Sequence, residues 1–325
     1  MITFSGRDAF ISYRIAEGEL FYAPLSQGRD EWIEAQTIAG AREGRGIARL
    51  EQWNPQEPCL YTVGRGPFLC FPGREEQGTF SFGFLGDTQA DPDTEALAMG
   101  ELLAHVSDEA FLLIAGDLVN NESDISEWEA FFAQSKGLFT RLPVMPAVGN
   151  HDSRIDIPST EGLSGFYGFD YGNLHVLVLN GNLLGSSDEK TIAAIGAFFA
   201  QDLQNSADAK WRIAMMHYPL FPVSNNPTNI RRGDNMLAQY GPYLTQYDLL
   251  LCGHEHVYSR LESDGLLQVM GNASEKVYAP SKEGLLASYR GPVYTRFNLT
   301  DDTLEAVTIN KEGNTVDAFV LRKGK

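Results

Sequence analysis

Five short polar clusters stand out in the 325-residue chain, each at or just past an apolar run. They are Gly86-Asp87-Thr88-Gln89, Gly116-Asp117-Leu118-Val119-Asn120 and Gly149-Asn150-His151-Asp152, then His217 in MMHYP, then Gly253-His254-Glu255-His256. Carboxylates, an amide oxygen and imidazoles suit hard to borderline divalent ions such as zinc, manganese or iron. A carboxylate shared by two such ions holds them about 3.5–4 Å apart. That spacing polarises a phosphoryl group and generates hydroxide near neutral pH.

Each cluster alone has an ordinary explanation. A Gly-Asp pair after a strand is commonly a turn, and a single histidine on a buried strand, such as His217, is commonly a satisfied core residue. The joint pattern is far more specific, because four of the six histidines fall inside it. His105 and His175 fall outside and are assigned no role. Glycines before Asp87, Asp117, Asn150 and His254 allow the sharp exit each turn needs. His254 and His256 read as alternate positions of an extended segment, as do Asp87 and Gln89 around Thr88, so each pair can face one side.

The elements that must carry these clusters read as a layered α/β domain. TFSFGFLG (79–86) is a buried strand, DTEALAMGELLAHV (93–106) has helical apolar spacing, and FLLIAG (111–116) is a second strand. DISEWEAFFAQSK (124–136) is a helix capped by Asp124 or Ser126, and LPVMPAVG (142–149) is a third strand. Strands follow at 172–181, 210–217 and 247–253, with helices at 190–206 and 235–246. The tail from about residue 256 is short strands, with Asp264-Gly265 and Glu312-Gly313 as hairpin turns. Sites in open α/β sheets form outside the carboxyl ends of strands, so five polar clusters at five such ends are expected to converge. Residues 1–78 differ: short alternating or aromatic-rich runs, punctuated by Gly and Pro, read as a small β-domain. FPGREEQG (71–78) reads as a linker or crossover. A fibronectin-like sandwich needs about seven strands in ~100 residues, so this segment is short for one.

The net charge of −18 makes a nucleic-acid polymer a poor partner. It also repels phosphorylated substrates unless a local positive centre, such as bound metal, outweighs it. No apolar stretch approaches the ~18 residues of a membrane span. The first residues lack the pattern of a signal peptide. A cytoplasmic location is therefore the expectation, with secretion after removal of a leader as the alternative. The odd count of three cysteines argues against a disulfide framework or zinc finger, although Cys59 and Cys70 could pair in an oxidising compartment.

The series GD-x-Q, GD-x-x-N, GNHD, an isolated His and GHEH resembles the calcineurin-like metallophosphoesterase superfamily, over residues 79–325. The layout is closest to its purple acid phosphatase-like branch, whose last motif GHEHVYSR resembles and where a small β-domain also precedes the catalytic one. The resemblance implies a layered β-sandwich core flanked by helices. It implies that Asp87, Asp117 and His256 hold one metal, and that Asp117, Asn150, His217 and His254 hold the other, with Asp117 bridging. It makes His151 a general acid or a cation facing the phosphoryl oxygens, with Asn120 accepting from its ring N–H. The chain departs from the pattern twice. Gln89 stands where the wider superfamily often has His, so it binds a metal directly, through water, or not at all. Asn120 stands where the purple branch has a metal-binding Tyr, so no iron–phenolate colour is expected.

For the substrate, residues 219–235 read as a Pro- and Asn-rich loop at the site rim, on which Arg231 and Arg232 could clamp an anionic group or simply be solvated. Tyr167, Tyr218 and Tyr258 could stack on an aromatic leaving group or pack the core. The expected function is hydrolysis of small phosphomonoesters with two divalent ions, with phosphodiesters or nucleotide pyrophosphates as the runner-up. A non-catalytic binding protein that keeps the fold is the competing class. Such a degenerate relative should have lost the Asp, Asn and His residues that this chain retains.

Overall fold

The computed structural model describes residues 1–323 apart from residues 6–7, 15–16, 25–31, 36–44, 52, 55, 66–68, 72–77, 90–97, 154–156, 158 and 161. The N-terminal region is all β. Strands β1 (Ile2–Ser5), β2 (Asp8–Arg14), β3 (Leu20–Pro24), β4 (Ile33–Glu34), β5 (Arg45–Arg49), β6 (Cys59–Val63) and β7 (Leu69–Phe71) form two antiparallel sheets, ordered β1-β2-β5 and β4-β3-β6-β7.

The first sheet of the following domain is built from β8 (Phe80–Leu85), β9 (Leu112–Ile114) and β10 (Val144–Pro146), with helices α1 (Ala98–Leu103) and α2 (Ile125–Gln134) between them. The second begins with β11 (Tyr167–Tyr171) and β12 (Leu174–Leu179). Helices α3 (Gly181–Leu184) and α4 (Glu189–Asn205) lead to β13 (Trp211–Met216), and α5 (Pro227–Leu244) leads to β14 (Leu249–Cys252). Then come β15 (Tyr258–Ser263), β16 (Leu266–Met270), β17 (Ala287–Tyr289), β18 (Val293–Leu299), β19 (Thr303–Asn310) and β20 (Thr315–Arg322). The two sheets run β10-β9-β8-β18-β19-β20 and β11-β12-β13-β14-β16-β15-β17. Within them, β8, β9 and β10 are mutually parallel, as are β12, β13 and β14.

The inner faces of the sheets pack together. Phe82, Phe84, Leu113 and Phe297 of one share a buried cluster with Val176, Ile213, Leu251 and Val269 of the other. Phe82 stacks on Phe111 at 5.1 Å and on Phe297 at 4.9 Å, pairs that add ~0.5–1.5 kcal/mol beyond area burial. On the outer faces, Met99 and Phe131 of α1 and α2 cover Leu112 and Ile114, while Phe199 and Tyr240 of α4 and α5 cover Leu177 and Ala214. Burial on both faces explains why FSFGFL and LHVLVL read as continuous apolar runs rather than alternating ones.

The N-terminal strands share this core. Phe4 stacks on Trp53 at 5.4 Å and tilts against Phe169 at 6.4 Å. Strand β1 lies against β10 and β11, which are the edge strands of the two large sheets. Thr3 Oγ1 donates to the Val144 carbonyl (3.0 Å), and Tyr61 Oη to the Thr140 carbonyl (2.6 Å).

Several details differ from the sequence reading. Helix α5 starts at Pro227, not near residue 235, because Asn226 caps it by accepting from Thr228 N–H (2.9 Å) and proline is pre-shaped for the first helical position. The rim loop is therefore 219–226, and Arg231 and Arg232 are helical. Asp124 is the α2 cap, accepting from Ser126 N–H. Residues 93–97 of the expected first helix, and 72–77 of the expected linker, lie outside the described residues. Cys59, Cys70 and Cys252 are not joined in a disulfide. Cys70 stands opposite Leu60 rather than Cys59 in the β6–β7 ladder. Among the described residues, no helix is long and apolar enough to cross a membrane.

Candidate active site

All five clusters sit just beyond the carboxyl ends of β8, β9, β10, β13 and β14, and their side chains meet. Asp87, Asp117 and His217 are buried, with one ligand atom from each lying within 4.8 Å of the others. His217 Nε2 is 3.3 Å from Asp117 Oδ2 and 3.0 Å from Asn150 Oδ1. His254 Nδ1 is 3.0 Å from the same Asn150 oxygen and 3.2 Å from His217 Nε2. His256 Nε2 lies 3.7 Å from Asp87 Oδ1. The five expected turns thus bring Asp87, Asp117, Asn150, His217, His254 and His256 together.

The turns achieve this with unusual backbone. Among the described non-glycine residues, six have positive φ, and four of those are Gln89 (35°), Asp117 (51°), His254 (76°) and His256 (47°). The extended geometry expected around Thr88 and across His254–His256 is therefore not what the chain uses; left-handed turns aim these side chains instead. Such residues cost ~1–3 kcal/mol each and persist where surrounding contacts over-determine them. Thr88 and Gln89 N–H both donate to the Asp117 carbonyl (3.2 and 2.8 Å), and His254 N–H donates to Asp87 Oδ2 (2.7 Å). Two glycines are obligatory by closeness. A Cβ on Gly149 would lie 2.1 Å from Asp117 Oδ1, and one on Gly253 would lie 2.3 Å from Asp87 Oδ2.

Burial and mutual charge dominate the electrostatics of the cluster. Burial raises the Asp87 carboxyl well above the usual range, and the nearby Asp117 charge adds to this. Burial also acts on Asp117, but the charge and hydrogen bond of His217 outweigh it and hold Asp117 low. His217 shows the converse: burial disfavours its charge, yet Asp117 and then Asp87 push it up to about 9. Burial lowers His254 to about 3 and His256 to about 4, helped by His217 in the first case and Lys276 in the second. Among the described residues, Asp87 Oδ1 and Gln89 Nε2 are buried polar atoms without a hydrogen-bond partner in the protein. An orphaned carboxylate oxygen beside a histidine nitrogen is what a metal ligand looks like in the bare chain. Bonds of about 2.1 Å put neighbouring donors roughly 3.0–3.5 Å apart around one ion, and the separations about Asn150 Oδ1 match that. The donor set therefore fits divalent metal.

His151 is held over the cluster rather than in it. Its N–H donates to Asp117 Oδ1 (2.9 Å), and its Nδ1 lies 2.7 Å from the oxygen of Asn120. That oxygen is the main-chain carbonyl, so the Asn120 side chain, which is exposed, takes no part. Arg232 stacks on the Tyr218 ring at 3.5 Å, and Tyr218 packs against His254 with ring centres 4.5 Å apart. Arg231 is exposed, about 100° further around the helix, so the two arginines do not act as one clamp. Tyr167 and Tyr258 are core residues, bonded to the Pro146 carbonyl and to Asp317.

Four residues were not given roles from sequence. Asp152 accepts from Leu118 N–H and Gly149 N–H, both at 2.7 Å, and so ties two turns together. Burial, then the Asp117 charge, pushes it up to about 7. Ser274 faces His256 Nδ1 at 3.2 Å, and Asn272 in turn accepts from the Ser274 hydroxyl. Asn182 donates to the Gly149 carbonyl (2.8 Å) and accepts from Tyr218 Oη. Asp152 lay inside a recognised cluster. Gly271-Asn272 after β16 repeats the Gly-polar strand exit and could have been read the same way.

Comparisons with known proteins bear on the fold and the family. An uncharacterized protein of Mycobacterium tuberculosis is 26% identical over 269 residues, 71% of this chain and 50% of that protein. Acid phosphatase type 7 of Danio rerio is 24% identical over 284 residues, 69% of this chain and 62% of that protein. The chain thus spans between 50% and 62% of the length of these relatives. Purple acid phosphatase PPD1 from yellow lupin (Lupinus luteus) seeds shares the fold, with a TM-score of 0.75 at 15% identity over 99% of this chain and 73% of that one. Residues 80–258, more than half of the sequence, match the calcineurin-like phosphoesterases, and the chain belongs to that family.

Proposed function

We propose that the protein is a dinuclear-metal hydrolase of phosphate esters, favouring monoesters over phosphodiesters and nucleotide pyrophosphates. The observation that carries this is the buried Asp87–Asp117–His217 cluster, with its orphaned Asp87 oxygen. Asp87, Asp117 and His256 would hold one ion, with Gln89 as an uncertain fourth partner. Asp117, Asn150, His217 and His254 would hold the other. When bound, such a pair supplies Lewis acidity toward phosphoryl oxygens and an acidified water for attack. The protein's own groups do the rest. His151, its Nδ1–H given to the Asn120 carbonyl, keeps Nε2 for a proton to the leaving oxygen or for a phosphoryl oxygen. Arg232, half-buried on Tyr218, faces an incoming anion more readily than exposed Arg231. The acid phosphatase relatives support the monoester preference, and manganese, zinc or iron suits the donors.

The test compares hydrolysis of p-nitrophenyl phosphate and its bis-ester, with and without manganese, alongside metal analysis. Faster monoester turnover, two ions per chain, and joint loss of metal and activity in Asp117→Ala and Asn150→Ala are expected. A chain that binds no metal and cleaves neither ester overturns the proposal in favour of a binding role.

A further inference from the structure

The three metal-facing histidines have their outer nitrogens held by different kinds of partner. His217 Nδ1 lies 2.8 Å from the Ala115 carbonyl, and His256 Nδ1 lies 3.2 Å from the Ser274 hydroxyl. His254 Nε2 lies 3.1 Å from Asn229 Oδ1, on the first turn of α5. Asn229 Nδ2 in turn donates to Glu255 Oε1 at 2.8 Å. Glu255 is buried, 3% exposed, and sits between the two histidines in sequence. Its carboxylate also accepts from Val223 N–H (2.6 Å), Ser224 N–H (3.1 Å) and the Ser224 hydroxyl.

The outer partners favour one placement of the protons in this chain. Both Glu255 oxygens already accept from the Val223 and Ser224 groups, so the Asn229 nitrogen faces Glu255 as a donor and its oxygen faces His254. An amide oxygen also only accepts, so Asn229 calls for the His254 proton on Nε2; Asn150 Oδ1, 3.0 Å from Nδ1, is an acceptor too, and Nδ1 can face it without a proton when an ion lies between them. The lone pair is then on Nδ1, the nitrogen beside Asn150 Oδ1 and His217 Nε2. We infer that Glu255 and Asn229 are a positioning pair that fixes the tautomer and ring orientation of His254, presenting Nδ1 to the second metal.

This deepens the dinuclear reading and rests on it for the consequence at the metal. It makes α5 part of the metal site. The helix turn that supplies Asn229 also supplies Arg232, three residues on, which covers Tyr218 beside the same histidine. The anchor at Glu255 therefore registers the anion-facing side chain and the ligand-holding side chain together. Partners of this kind orient ligating histidines and are worth about 10–100-fold in metal affinity.

The test uses the full chain. Long-range ¹H–¹⁵N correlation of the metal-free protein should show His254 as the Nε2–H tautomer, and as a mixture in Asn229→Ala. Zinc calorimetry should give two ions in the wild type. In Asn229→Ala one should bind about 10–100-fold more weakly while the other is unchanged, and Glu255→Gln should shift the same ion in the same direction. An Nδ1–H tautomer in the wild type overturns the inference. So do unchanged affinities in Asn229→Ala, or equal weakening of both ions accompanied by a lower melting temperature. A wild type that takes up no zinc yet shows the Nε2–H tautomer sinks the dinuclear reading and leaves the positioning pair in place.

Discussion

Removing the carboxylate of Asp152 should disable the site without touching a metal ligand. Asp152 is fully buried, and its two oxygens accept the N–H groups of Leu118 and Gly149. Those residues adjoin Asp117 and Asn150, the proposed shared carboxylate and the proposed amide ligand. Asp152→Ala strands two buried N–H groups, at ~1–3 kcal/mol each, so the expected loss of folding stability is about 2–6 kcal/mol. The two turns would then be free to drift apart. A displacement of about 1 Å at reacting groups can cost ~10²-fold in rate. Asp152→Asn keeps the volume and one acceptor but points its NH₂ at the other N–H, so it should fall between wild type and alanine. Urea midpoints of the metal-free variants measure the first quantity, and nitrophenyl phosphate turnover at saturating manganese the second. Asp152→Ala with a loss under ~1 kcal/mol and full turnover would refute the argument.

Three further outcomes are expected. His151→Ala should keep bound metal but lose ~10²–10⁴-fold in turnover, most for alkyl phosphates with poor leaving groups, whereas Asn120→Ala should be nearly silent because only its carbonyl is used; steady-state kinetics on paired nitrophenyl and alkyl substrates checks both. Deleting residues 1–78 removes no cluster residue but uncovers the core around Phe169 and the Val144 carbonyl. The fragment should therefore melt well below the full chain, and equal melting temperatures by calorimetry would contradict this. His175 lies between Asp170 (2.7 Å) and Asp202 (3.1 Å); burial opposes its charge, but the two carboxylates win and push it up to about 9 from 6.5. The folded value exceeds the unfolded one, so its contribution of roughly 3 kcal/mol is whole below about pH 6.5 and fades as pH rises through 9. Melting curves from pH 6 to 10 should thus fall more steeply for the wild type than for His175→Gln.

The clustered residues were legible because four of the five motifs pair a glycine with an apolar run, a local pattern that survives without tertiary information. What holds them was less legible. Asn229 lies in a stretch that reads as loop until Asn226 and Pro227 are recognised as a helix start. The link from Asn229 to His254 spans 25 residues and exists only in three dimensions. Asn120 shows the opposite limit: its position was informative, but sequence cannot tell a side-chain contact from a carbonyl. The left-handed turns at Asp117, His254 and His256 carry only a weak composition signal, because Asp and His are enriched at positive φ yet mostly adopt negative φ.

The place of β8 in its sheet has a consequence for how the protein is made. This strand carries Asp87 at its end, yet one of its two neighbours is β18, and Ser81 bonds Asn298 across 217 residues. Asp87 itself bridges to Asn272. A chain emerging from the ribosome can close α2 and the β9–β10 pair early, but β8 lacks one side of its sheet until β18 (Val293–Leu299) has been synthesised. Non-local pairing of this kind is slow, because loop closure comes before the contacts that reward it. Asp87 thus waits on strands far along the chain before its surroundings are complete, so a shorter nascent chain presents scattered side chains rather than an assembled cluster.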